Sequence, residues 1–175
     1  GEKSNGSANN SVLIPSVFAE YVYNDSFSIG LDFIPLSADV SNKTKSRNDT
    51  ETSVTSNAKT ASVSREQKAQ ASLKNHLTLY GNYKIGDSLY LKAGIASVAL
   101  ETEESLGTGS KYGNEDIFGG VFGIGMEQDG FRIEVAYTDY EDISLTSSVA
   151  RTGVTTNNKI DAELDTLAVK LSYLF

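Results

Sequence analysis

The stretch Leu167-Ala168-Val169-Lys170-Leu171-Ser172-Tyr173-Leu174-Phe175 decides how the rest of the chain is read. Leu167, Val169, Leu171, Tyr173 and Phe175 alternate with Thr166, Ala168, Lys170, Ser172 and Leu174. A period of two sends successive side chains to opposite faces of a strand. This segment therefore reads as a strand with one bulky apolar face and one small or charged face. It ends on the aromatic Phe175. Chain ends of soluble domains usually fray, whereas an aromatic residue at the foot of an amphipathic strand suits a membrane–water interface.

The same alternation recurs upstream. Phe131, Ile133, Val135 and Tyr137 fall on one face, with Arg132, Glu134, Ala136 and Thr138 on the other. Phe118, Phe122, Ile124 and Met126 lie opposite Gly119, Val121, Gly123 and Gly125, and Leu89, Leu91, Ala93 and Ile95 lie opposite Tyr90, Lys92, Gly94 and Ala96. Bulky apolar side chains on one side suit lipid; small and charged ones on the other suit a narrow interior. Strands are expected at about 12–23, 26–39, 64–84, 88–101, 117–127, 131–144 and 160–175. Asn24-Asp25, Gly86-Asp87 and Asp129-Gly130 accept the backbone angles of tight hairpin turns. The remaining connections, about 40–63, 102–116 and 145–159, are long and rich in Ser, Thr, Asn, Gly and charge. Tight turns at one end and long polar loops at the other predict an all-β, antiparallel, up-and-down transmembrane barrel. A sandwich would scatter its long loops over both ends.

Composition agrees with that class. The 175 residues suit one domain, spanning 1–175. A mean hydropathy of -0.26 and the absence of any apolar run near the roughly 20 residues of a membrane helix exclude a helical membrane protein. Barrel strands escape such averages, because their two faces cancel. The 9 Tyr, 7 Phe and 15 Gly fit pleated strands and turns. Without cysteine there is neither a disulfide framework nor a thiolate metal site. A net charge of -8 with no basic stripe argues against nucleic acid. Gly1–Gly6 is polar and has no leader pattern, which in a secreted protein implies a mature or trimmed chain.

The ending Leu171-Ser172-Tyr173-Leu174-Phe175 resembles the C-terminal assembly signal of bacterial outer-membrane proteins, with Tyr173 and Phe175 as its aromatic positions. From Val12 onward the chain resembles the small outer-membrane β-barrel superfamily that includes the OmpA transmembrane domain. The resemblance implies eight strands, location in the bacterial outer membrane, contact with outer-membrane lipid and lipopolysaccharide, and delivery by the barrel-assembly machinery. The chain departs from that pattern at its N-terminus. With Phe175 on the periplasmic side, the three tight turns are periplasmic, the long connections and 1–11 are extracellular, and the strand at Val12 descends. Seven strands are then read where an even number is expected. The eighth, an upward strand, lies before Gly1, comes from another chain, or hides in a misread polar N-terminus.

Several residues could carry function. Glu20, Asp32, Lys92, Arg132, Glu134 and Lys170 are placed in the lumen, three acids and three bases. They could gate a small ion-selective channel. The bland alternative, mutual neutralisation in a filled interior, weighs more, because eight strands leave room for little beyond side chains. Phe131, Ile133, Val135, Tyr137, Leu167, Val169 and Leu171 form the expected lipid-facing belt. His76 is the sole histidine. A barrel lipase would need it beside a hydroxyl and a carboxylate, and a lone lumen histidine is more often structural. The register around it is awkward, because Asn75 shares a face with Leu73, Leu77 and Leu79. Acidic groups gather near the outer rim at Glu101, Glu103 and Glu104; Glu115 and Asp116; Asp139, Glu141 and Asp142; and Asp161, Glu163 and Asp165. None matches a spaced calcium loop, and solvated loop bases explain them better than divalent-cation sites. Gly119, Gly120, Gly123 and Gly125 lie inside a strand with no helix following, so they make room for neighbours and do not cradle phosphate.

Ser41–Ser64 reads as disordered by composition; the alternative expectation is strands that extend above the membrane into a hairpin, with a partner able to hold it down. The expected function is structural or surface-binding, with no catalysis, metal or cofactor. The loops are free to meet an extracellular ligand or a second chain. A small channel is the alternative. A lipid-acting enzyme and a soluble extracellular β protein rank below it.

Overall fold

Three tight turns organise the chain. Strand β1 (Val17–Asn24) turns into β2 (Phe27–Ile34) through Asp25-Ser26, where the Asn24 side chain accepts hydrogen bonds from the backbone N–H groups of Ser26 and Phe27, both at 2.9 Å. Asn and Asp close turns in this way because their short side chains mimic the backbone. Gly86, at φ 74°, opens the turn between β5 (Ala58–Ile85) and β6 (Leu89–Ser105). Asp129 and Gly130, at φ 53° and 82°, join β7 (Asn114–Gln128) to β8 (Phe131–Tyr140). Two consecutive positive φ angles match the twist of a two-residue hairpin. The computed structural model describes residues 6–40, 45–55, 58–105, 111–147 and 159–175.

The described residues are all-β. The main path of the sheet runs β1-β2-β5-β6-β7-β8-β11, where β11 is Asp165–Tyr173, and every neighbouring pair is antiparallel. The short strands β3 (Ala38–Asp39) and β4 (Lys45–Thr55) also pair with β5. A separate ribbon joins β9 (Ile143–Thr146) to β10 (Lys159–Ala162). Antiparallel order puts all three tight turns at one end and the longer connections at the other.

Several expected boundaries shift, each for a local reason. The first strand begins at Val17, not Val12; Pro15 lacks the N–H that a ladder needs. Pro35 likewise ends β2 at Ile34, so the segment 26–39 is broken. The segment 131–144 divides after Tyr140 at Glu141-Asp142, and 160–175 divides at Glu163-Leu164. The connection 40–63 is not a loop throughout. β4 and the first part of β5 form the expected rising hairpin, from Lys45↔Ala69 to Thr55↔Ala58. The segment expected as the loop 102–116 is shorter, since β6 runs to Ser105 and β7 starts at Asn114. Much of 145–159 falls at 148–158, outside the described residues.

The sheet is strongly curled. β1 and β8 are five places apart along the path, as are β2 and β11. In a flat sheet five strand spacings amount to about 24 Å, beyond the reach of two side chains. Yet Arg132 of β8 meets Glu20 of β1, and Lys170 of β11 meets Asp32 of β2. One face of the sheet is therefore concave and turned towards these pairs. Among the described residues the edges β1 and β11 form no ladder with each other.

Candidate functional site

Polarity is inverted over most of the sheet. In β8 the exposed positions are Phe131, Ile133, Val135 and Tyr137, whereas Arg132, Glu134 and Thr138 are buried. The same holds in β2, where Ile29, Leu31 and Phe33 are exposed while Ser28 and Asp32 are buried. Leu91, Ile95, Phe118, Phe122, Ile124, Met126, Leu167, Val169 and Leu171 extend the exposed apolar band around the sheet. All seven residues of the expected belt lie in it. Tyr173 packs tilted against Phe131 and edge-on against Phe175, with centroids at 4.8 and 5.1 Å, so aromatic rings gather at the turn end.

Inside, towards the turn end, polar side chains fill the space. The Glu20 carboxylate receives both terminal nitrogens of Arg132, with Nη2 to Oε2 at 2.9 Å. It also accepts from Tyr80 Oη at 2.8 Å, Asn82 Nδ2 at 3.0 Å and Ser28 Oγ at 3.3 Å. Glu134 accepts from Lys92 Nζ and Tyr90 Oη, each at 2.8 Å. Lys170 pairs with Asp32 midway along the axis. The six charged residues singled out from sequence are thus brought together as three crossed pairs. Lys170 faces Glu134 in the β8–β11 ladder, but its ammonium crosses the interior to Asp32.

Some members of the network escaped the sequence reading. Glu127 accepts from Arg132 Nε at 2.8 Å and lies 3.6 Å from Lys84 Nζ at the turn end. Tyr80 and Tyr90 cap the carboxylates with their hydroxyls and offer their rings to cations: Lys92 Nζ sits 3.9 Å from the Tyr80 centroid. Gly30 and Gly125 make these rings fit, because a Cβ at either position would strike Tyr80 or Tyr90 respectively. Glycines at inward positions one strand away from inward tyrosines are the signal that could have revealed this packing.

Towards the loop end the interior changes character. Val98, Leu100, Ile117, Val121, Tyr140, Ile143 and Leu145 form a buried apolar cluster, with Val40, Leu73, Tyr112 and Leu164 packed against it. This corrects the expectation of a small-and-charged interior throughout. Outside, the apolar band ends at the same level, where Asp139 and Asp165 are exposed above Tyr137 and Leu167. Both faces exchange polarity together.

His76 sits where the exchange occurs. The β5–β6 register shifts between Lys74 and Leu77, and Asn75 adopts φ 54°. This bulge adds one residue to β5 and resolves the awkward register. Leu77 and Leu79 stay outside, Asn75 is exposed, and Leu73 packs against the apolar cluster. His76 meets the Tyr140 ring edge-on at 6.4 Å, and its Nδ1 has no hydrogen-bond partner. No hydroxyl–imidazole–carboxylate relay is built around it among the described residues.

The acidic rim residues are dispersed into separate contacts. Glu101 pairs with Lys74, Glu104 accepts from the Tyr112 N–H, and Glu141 accepts from the Phe118 N–H at 2.9 Å. Asp161 takes Lys159 Nζ at 3.0 Å and Ser144 Oγ at 2.9 Å, which hold its carboxyl below the usual range. No group of three or more metal-ligating side chains occurs among the described residues. No protein-family model matches the chain, and no curated protein or solved structure matches it.

Proposed function

We propose that this protein is a transmembrane β-barrel of the bacterial outer membrane, with a structural and surface-presenting role. The observation that carries this reading is the inverted polarity: apolar side chains outside, a paired charge network inside. In water that arrangement exposes the apolar groups and desolvates the ionic ones, both unfavourable. In a bilayer both are placed correctly. The outer band covers about seven to nine residues per strand, which at a tilt of about 40° is roughly 17–25 Å, at or somewhat below the height of a barrel's apolar belt. Beyond it the apolar-in, polar-out order of a water-soluble protein returns, which suits strands that have emerged from lipid. Tyr173 and Phe175 fit the aromatic girdle and the assembly signal of the OmpA-type barrels that the chain resembles.

Presentation of the loops fits better than conduction. The apolar cluster around Leu100, Ile117 and Tyr140 lies across the axis at the loop end, and the ion pairs fill the turn end. Both halves are occupied by side chains, which argues against an open pore. The β4–β5 hairpin and the β9–β10 ribbon stand at the loop end, where an extracellular ligand or second chain would meet them.

Heat-modifiability tests the reading. The unboiled protein is expected to run as a compact band in detergent gels and to shift on boiling. A protein that stays monodisperse in water without detergent overturns the proposal.

A further inference from the structure

Beyond Lys68 the β4–β5 hairpin stands without a further strand among the described residues. β6 joins β5 only from Lys68↔Ser105 towards the turn end, and β4 pairs with β5 alone. A two-stranded ribbon is marginal in water by itself, and a free strand edge is a template for another strand. The charged residues of β4 are Lys45, Arg47, Asp49 and Glu51. The ladder sets Lys45 opposite Ala69, Arg47 opposite Gln67 and Glu51 opposite Val63. Only Asp49, opposite Arg65, is set against a residue of contrary charge within the hairpin.

Parity places these four residues on one face, two cations followed by two anions. That order complements itself when reversed. We propose that β4 docks edge to edge on β4 of a second copy of this chain, antiparallel, with Asn48 on the two-fold axis. In that register Lys45 lies opposite Glu51 of the second copy and Arg47 opposite its Asp49, each pair occurring twice, while Ser46 lies opposite Thr50. Opposite charges across a ladder favour pairing and like charges oppose it. A slide of two residues sets Arg47 against Arg47 or Asp49 against Asp49. A slide of one breaks the two-fold relation, because opposite residues must share a face. A chain of net charge -8 repels its own copies at long range, whereas β4 is charge-balanced, so this edge is where a second copy is admitted. The pairing also inverts that copy. β4 runs away from the turn end of its own sheet, so two antiparallel β4 strands put the two turn ends at opposite extremes. Resting on the membrane reading, the second copy therefore sits in a facing membrane. Parallel pairing within one membrane would set each residue near its own kind, like charge beside like. One such ladder is short, and many copies on each surface add their strength.

The chain lacks cysteine, so Asn48→Cys reports the axis cleanly, since directly opposite residues lie within disulfide reach. The variant is inserted into two phosphatidylcholine vesicle populations carrying different fluorescent labels on the protein, which are mixed and oxidised. Disulfide dimers bearing both labels are expected, together with tethering of the two populations by the unmodified protein. Glu51→Lys and Lys45→Glu are each expected to lower tethering and cross-linking roughly tenfold, because each sets like charges opposite one another twice. Neither does so within the hairpin, where these positions face Val63 and Ala69. Mixing one population of each variant is expected to restore both signals, since contrary charges then face each other again. No tethering by the unmodified protein, cross-links indifferent to the charge changes, or dimers confined to a single label overturn the proposal. Failure of the membrane reading is distinct: the protein then stays in water outside the vesicles, and the same disulfide and the same rescue by mixing are read in solution.

Discussion

Arg132 and Glu20, 112 positions apart in sequence, join β8 to β1 across the interior through both terminal guanidinium nitrogens. The pair spans the interior between two strands that share no ladder. Removing Glu20 leaves Arg132 with Glu127 alone and takes the acceptor from Tyr80 and Asn82, which costs about 1–3 kcal/mol. Glu20→Ala is expected to lower stability by that amount in urea titrations of the vesicle-inserted protein. Glu20→Met combined with Arg132→Met is expected to recover most of the loss.

Glycine at 125 is set by the Tyr90 ring beside it. Gly125→Ala is expected to destabilise by about 1–3 kcal/mol through overpacking. Pairing it with Tyr90→Ser is expected to show non-additivity in the same titration, since the smaller side chain vacates the contested space. Simple addition of the two losses would place the strain elsewhere.

Val135 lies in the middle of the outer band on β8. Val135→Arg is expected to cost about 2–4 kcal/mol in a bilayer, whereas an exposed position on a water-soluble protein tolerates such a change within about 0.5 kcal/mol. Unfolding from vesicles measures the difference.

Planar bilayers offer a separate check on the sealed interior. The protein is expected to give no stepwise conductance, and Ile117→Ser with Leu100→Ser is expected to admit ions only if the polar half rearranges. Regular single-channel steps from the unmodified protein would favour the channel reading.

Asp161 ties Ser144 and Lys159 together in the β9–β10 ribbon. Its carboxyl titrates below the usual range, with the bond from Lys159 the larger cause and that from Ser144 the second. A depressed folded value contributes stability above the unfolded value and loses it as pH falls through the folded one. Amide protection in β9 and β10 is expected to decline at acid pH below the ordinary aspartate range, and less so in Asp161→Asn.

Much of this arrangement is legible in the chain. Phe131–Thr138 and Leu167–Ser172 alternate so regularly that facing and pairing follow from parity alone. The charged inward positions follow as well, since parity places them. Their partners do not, because Lys170 faces Glu134 across the ladder yet reaches Asp32 through space. Around Asn75 parity fails outright, since a bulge adds a residue without announcing itself by Gly or Pro. Beyond Ile95 the parity persists but its meaning reverses: Ser97 and Ala99 face out while Val98 and Leu100 face in. A rule that assigns apolar side chains to lipid cannot detect where lipid ends.

That reversal has a consequence for how the sequence can drift. Below His76, a leucine on the outer surface can be exchanged for phenylalanine or valine almost freely, while an inward lysine is held by its counter-ion. Above it the liberties swap sides, and outer serines can vary while inward isoleucine and leucine are held by their neighbours. Along β6, therefore, substitution tolerance should change phase between Ile95 and Val98, so that a saturation map of one strand would read as two proteins joined end to end.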